Sequence, residues 1–139
     1  MSSSGIIGVT KVKGPTGGAD CDCAFIKFTG GHWMNDEIWA PDFGSTYPVQ
    51  TRNTAAAPVG TILSFDGIGS TGKIGSVVYE SYHSGAINVA AVGGDSGSAI
   101  MKPQANGKTD VYGIAKGTHG GNTYYEPYDW IKAKLGLTW

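Results

Sequence analysis

The sequence is poor in charge. Lys, Arg, Asp and Glu make up 15% of its 139 residues, the formal net charge is -1, and Arg52 is the single arginine. No basic face for nucleic acid or for an anionic membrane is encoded, so neither partner is expected. Long apolar runs are also missing, and no stretch approaches the roughly 18 residues of a membrane-crossing helix. Met1-Ser2-Ser3-Ser4-Gly5 lacks the basic region and apolar stretch of a signal peptide, and reads as an added start or one set inside a longer protein. Cysteine is limited to Cys21 and Cys23. A disulfide across one residue would bend the backbone away from ladder geometry. The pair is therefore expected to flank Asp22 as small apolar residues. A zinc or copper site would need a further ligand that the sequence does not make evident. No metal and no organic cofactor is expected.

What is present is glycine, 23 residues of it, with β-branched and aromatic residues set among Gly, Ser, Thr and Asn. That mixture predicts short strands joined by tight turns. Strands are expected at Ile6 to Val12 and Cys23 to Phe28, separated by Gly14-Pro15-Thr16-Gly17-Gly18. Thr29 to Ala57 shows little periodicity and reads as a long connection pinned by Trp33, Trp39 and Tyr47. Strand signals return at Gly60 to Phe65, Gly75 to Tyr82, Ala86 to Val92, Ala99 to Lys102, Val111 to Ala115 and Asn122 to Tyr125. The spacing predicts an all-β barrel or sandwich. After Pro127, apolar residues at helical spacing predict a short helix from Tyr128 to Leu135, stopped by Gly136.

The segment richest in chemistry is Gly93-Gly94-Asp95-Ser96-Gly97-Ser98-Ala99-Ile100. In isolation it is either a polar β-turn or the turn of a nucleophilic serine. Glycines there permit unusual backbone angles and close substrate approach. Successive N–H groups can then converge on an oxyanion, at roughly 3–4 kcal/mol per donor. With its surroundings, the segment resembles the nucleophile motif of the chymotrypsin-like serine peptidases, in the branch of the streptogrisins and α-lytic protease. Gly60-Thr61-Ile62-Leu63-Ser64 and Ser70 to Val78 resemble the opening hairpin of that family's second barrel, Val111 to Ala115 its cleft strand, and Tyr124-Tyr125-Glu126-Pro127 its end. Upstream, Cys21-Asp22-Cys23-Ala24-Phe25-Ile26 resembles the strand that begins at the triad aspartate. The resemblance implies a trypsin-like fold. Residues 1–58 would be a remnant of the first barrel with the inter-barrel connection, and 59–139 a second barrel with a C-terminal helix. It further implies Ser96 as nucleophile, the N–H groups of Gly94 and Ser96 as oxyanion donors, and Asp22 (or Asp20) as the support of a histidine. Ala115, Lys116 and Gly117 would line the substrate cleft, with residues 88–92 and 116–121 shaping the primary pocket.

The departures from that pattern are as informative. No histidine precedes Asp22; the three in the chain are His32, His83 and His119. His32 is a conceivable base, His83 reads as a strand-end surface residue, and His119 as a loop residue near the cleft. Lys116-Gly117-Thr118 stands where the family has a serine and two glycines, and no arginine is placed to pair with Asp95. Two functions follow. One is a serine endopeptidase, or its C-terminal portion, inactive alone for want of a general base. The other is a pseudopeptidase that binds peptides or assembles through the same cleft, as a homo-oligomer or with a complementing N-terminal segment. By analogy with the family, the parent protein is expected to be secreted or envelope-exposed.

Overall fold

The computed structural model describes residues 8–13, 21, 23–28, 36–52 and 57–136. Its centre is a barrel of six strands: β5 (Ile62–Phe65), β6 (Lys73–Glu80), β7 (Gly85–Ile87), β8 (Ala99–Pro103), β9 (Thr109–His119) and β10 (Asn122–Pro127). They pair antiparallel in the order β10-β7-β6-β5-β8-β9, and β9 returns to β10 to close the sheet. Closure removes the exposed edges on which unpaired strands aggregate. Thr109, Val111, Gly113 and Ala115 alternate inward along β9, the period of two that a half-buried strand requires. Leu63, Phe65, Val77, Ile87, Ile100 and Tyr125 fill the interior. Each large apolar side chain buried there contributes about 1.5–3 kcal/mol.

Four further strands precede the barrel. β1 (Gly8–Lys13) and β2 (Ala24–Phe28) form a two-stranded antiparallel sheet of their own. β3 (Glu37–Ala40) and β4 (Ser45–Arg52), joined through a 3-10 turn at Pro41–Phe43, form a hairpin. β4 then runs parallel to the start of β9, pairing Val49 with Thr109 and Arg52 with Val111. The expected long connection over 29–57, pinned by aromatics and without strands, is thus corrected over 37–52, which form this hairpin. Trp39 is 70% exposed and β4 is interrupted by Pro48, so neither strand shows the alternation from which strands are read. Two other boundaries move. β7 ends at Ile87 instead of running to Val92, and β9 extends to His119.

The helix α1 (Tyr128–Leu135) forms where expected. Gly136 takes a left-handed φ of 63° and closes the last turn onto Lys132 and Ala133. Trp130, Ile131 and Leu135 pack on Ile114 of β9 and on Cys21 and Cys23. The cysteines are joined to each other, which corrects the expectation of two independent thiols and removes them as metal ligands. They nevertheless pack as apolar residues, with Cys21 fully buried under the helix. Among the described residues no helix is long and apolar enough to cross a membrane.

Candidate active site

The loop after β7 turns sharply before β8, and two short hydrogen bonds define the turn. The Asp95 N–H donates to the Val92 carbonyl at 3.1 Å, and the Ser98 N–H to the Asp95 carbonyl at 3.1 Å. Gly94 sits at φ 100° and Gly97 at φ 91°, angles that a side chain would strain. The turn is tied to β9 by Gly97 N–H to the Ala115 carbonyl (2.8 Å) and Ala115 N–H to the Ser98 carbonyl (2.9 Å). Ser96 is left at the surface, and its Oγ donates to the Lys116 carbonyl at 3.3 Å. The N–H groups of Gly94 and Ser96 donate to nothing among the described residues.

Asp95 is fully buried, and its support is not an arginine. Oδ1 accepts from the N–H groups of Gly69 and Ser70, each at 3.0 Å. Oδ2 accepts from the Ser70 hydroxyl at 2.7 Å and the Val92 N–H at 3.0 Å. Burial alone pushes this carboxyl up. The hydrogen bonds from Val92, Ser70 and Gly69 outweigh it and hold Asp95 below the usual carboxylate range. Gly69 must be glycine, because a Cβ there would collide with the Gly93 carbonyl. The sequence signal for this cradle, Gly-x-Gly-Ser after β5, has no characteristic spacing and was legible only as part of a hairpin.

Beside Ser96 opens a pocket of about 190 Å³, walled by Ala91, Val92 and Gly93 on one side and by Ala115, Gly117 and Thr118 on the other. Thr118 Oγ1 holds the walls together, accepting from the Ala91 N–H (2.9 Å) and donating to the Ala91 carbonyl (3.0 Å). Lys116 contributes its carbonyl but not its ammonium to this region. A β-bulge leaves it without a partner between Ala115 and Gly117 in the pairing with β10. Its Nζ reaches the buried Glu126 at 3.1 Å. Of the segments expected to shape the pocket, 88–92 and 116–121, residues 91–92 and 117–118 line it, whereas 88–90, Lys116 and 119–121 do not. On the far side of the Asp95 cradle lies a groove of about 520 Å³, bounded by Trp39, Asp42, Asp66 and Ile68.

His83 and His119 are not among the residues that line the pocket. His83 packs on Trp130 (4.3 Å between ring centres) and His119 lies 6.4 Å from the Tyr124 ring. Asp22, Asp20 and His32 fall outside the described residues.

A closed antiparallel barrel with a glycine-flanked Asp-Ser turn before its fourth strand and a C-terminal helix is the chymotrypsin-like fold. Two solved structures share it. A glutamic acid-specific serine protease, described as using a histidine triad in substrate binding, superposes with a TM-score of 0.71 at 20% identity, over 98% of this chain and 75% of its own. A Nocardiopsis protease gives the same TM-score and identity over 93% of this chain and 71% of its own. No protein-family model and no curated protein matches the sequence.

Proposed function

We propose that the chain is a serine endopeptidase of the chymotrypsin-like family, or the C-terminal portion of one. The observation that carries this reading is the exposed Ser96 hydroxyl at the mouth of a pocket, on a turn whose Gly94 and Ser96 N–H groups have no partner among the described residues. Residues 1–58 belong to a first barrel and residues 59–139 to the second, with peptides bound along β9 at Ala115, Lys116 and Gly117. Ser96 Oγ attacks the scissile carbonyl while a histidine takes its proton. The oxyanion settles between the Gly94 and Ser96 N–H groups, the amine departs with the proton, and water completes the second half. Asp22 orients that histidine. The histidine itself is neither His83 nor His119, and comes from His32 or from outside this chain. The fold's protease neighbours support an extracellular setting and a peptide substrate.

A second reading keeps the cleft and drops the chemistry. Its support is that no described histidine contacts Ser96, so the serine lacks a base there. Labelling with a fluorophosphonate, read by intact mass with Ser96→Ala as control, separates the two. One adduct, lost in the variant, supports the peptidase. A folded chain that takes no label supports a binding module.

A further inference from the structure

Resting on the peptide-cleft reading above, we infer that the pocket beside Ser96 selects an uncharged, apolar side chain of about leucine size and rejects acidic and basic ones. None of the described residues lining it carries an ionisable group. The nearest cation on the cleft strand, Lys116, is drawn away to Glu126, which is only 1% exposed. Recruiting Lys116 to an acidic substrate side chain would break its ion pair with that buried carboxylate. Thr118, a polar side chain of the lining, has its hydroxyl engaged both as acceptor and as donor with Ala91. A charged group entering here would find no charged partner among the described lining residues.

Size points the same way. The pocket measures about 190 Å³, and a cavity of about 150 Å³ is enough to take benzene. Gly93 and Gly117 keep it open, since a Cβ at either would meet nothing within 4 Å. The glutamic acid-specific neighbour is described as binding substrate through a histidine triad; no described histidine lines this pocket.

The test uses N-acetylated tetrapeptides differing only in the C-terminal residue (Leu, Ala, Glu or Lys), which occupy the cleft as products and require no catalysis. Binding is read by NMR shifts of the Gly93, Ser96, Gly117 and Thr118 amides. The Leu peptide is expected to bind at least about tenfold more tightly than the Ala, Glu and Lys peptides. Gly117→Val fills the pocket at a position with room for a Cβ, and should bring the Leu peptide down to the Ala level. A preference for Glu or Lys, or Leu binding untouched by Gly117→Val, overturns the assigned specificity while leaving the peptide cleft intact. Failure of all four peptides to shift these amides overturns the cleft reading and this inference with it.

Discussion

Asp95 shows how one buried charge can be held mostly by backbone. Four donors converge on it, the Ser70 hydroxyl and three main-chain N–H groups whose positions depend on how the β5–β6 turn meets the Asp95-Ser96 turn. Its folded-state pKa lies below the unfolded value, so its contribution to stability is complete above the ordinary 3.8 and is lost as pH falls through the lowered folded value. Asp95→Asn puts an amide N–H against donors. It is expected to cost about 3 kcal/mol at neutral pH. Urea unfolding of the two proteins should show that gap shrinking as pH drops below 3.8. A gap independent of pH would mean the carboxylate charge is not what the cradle holds.

At the scale of elements, the site is a junction of two turns and a strand. The β5–β6 turn supplies Gly69 and Ser70, the loop before β8 supplies Asp95 and Ser96, and β9 receives that loop through Ala115, bonded to Gly97 and Ser98. Gly69→Ala would push the first turn off the Gly93 carbonyl. We expect a loss of about 2–4 kcal/mol, as for other backbone collisions, and a displaced Ser96. Thermal melting checks the first effect, and fluorophosphonate labelling relative to the parent checks the second. A variant that melts like the parent would show that the two turns are not in close contact. The helix is a separate matter: it packs on the outer face of β9 and on the Cys21–Cys23 pair, and so fastens those two cysteines to the barrel.

The whole molecule divides by how its strands are paired. The barrel strands each have neighbours on both sides, and β4 joins them along the first residues of β9. Among the described residues β1 and β2 pair only with each other, and a lone two-stranded sheet is marginal in water. Hydrogen exchange should therefore show the amides of 8–13 and 24–28 opening at a lower free energy than those of 62–65 and 109–119. Equal protection throughout would mean that the hairpin is locked into the same cooperative unit as the barrel.

Local chemistry made much of this readable from residues alone. The strands from β5 onward announce themselves by alternation and turn residues, the helix by its spacing and Gly136, and the candidate nucleophile turn by glycines on either side of Asp95-Ser96. Those signals are contained within a few neighbouring residues, so the sequence by itself determined the β-barrel class and Ser96 as the residue to test. The rest depended on groups brought together from far apart. The hairpin β3–β4 is stabilised by pairing with β9, some sixty residues away, and carries no periodicity of its own. Most of the support for Asp95 comes from backbone N–H groups, which every residue but proline has and no sequence marks. Lys116 reads only as a departure from the family pattern because its partner, Glu126, is reached across the β9–β10 bulge. Tertiary structure decided these points because a backbone donor or an ion pair acts through position, and position across a barrel is set by closure of the whole sheet.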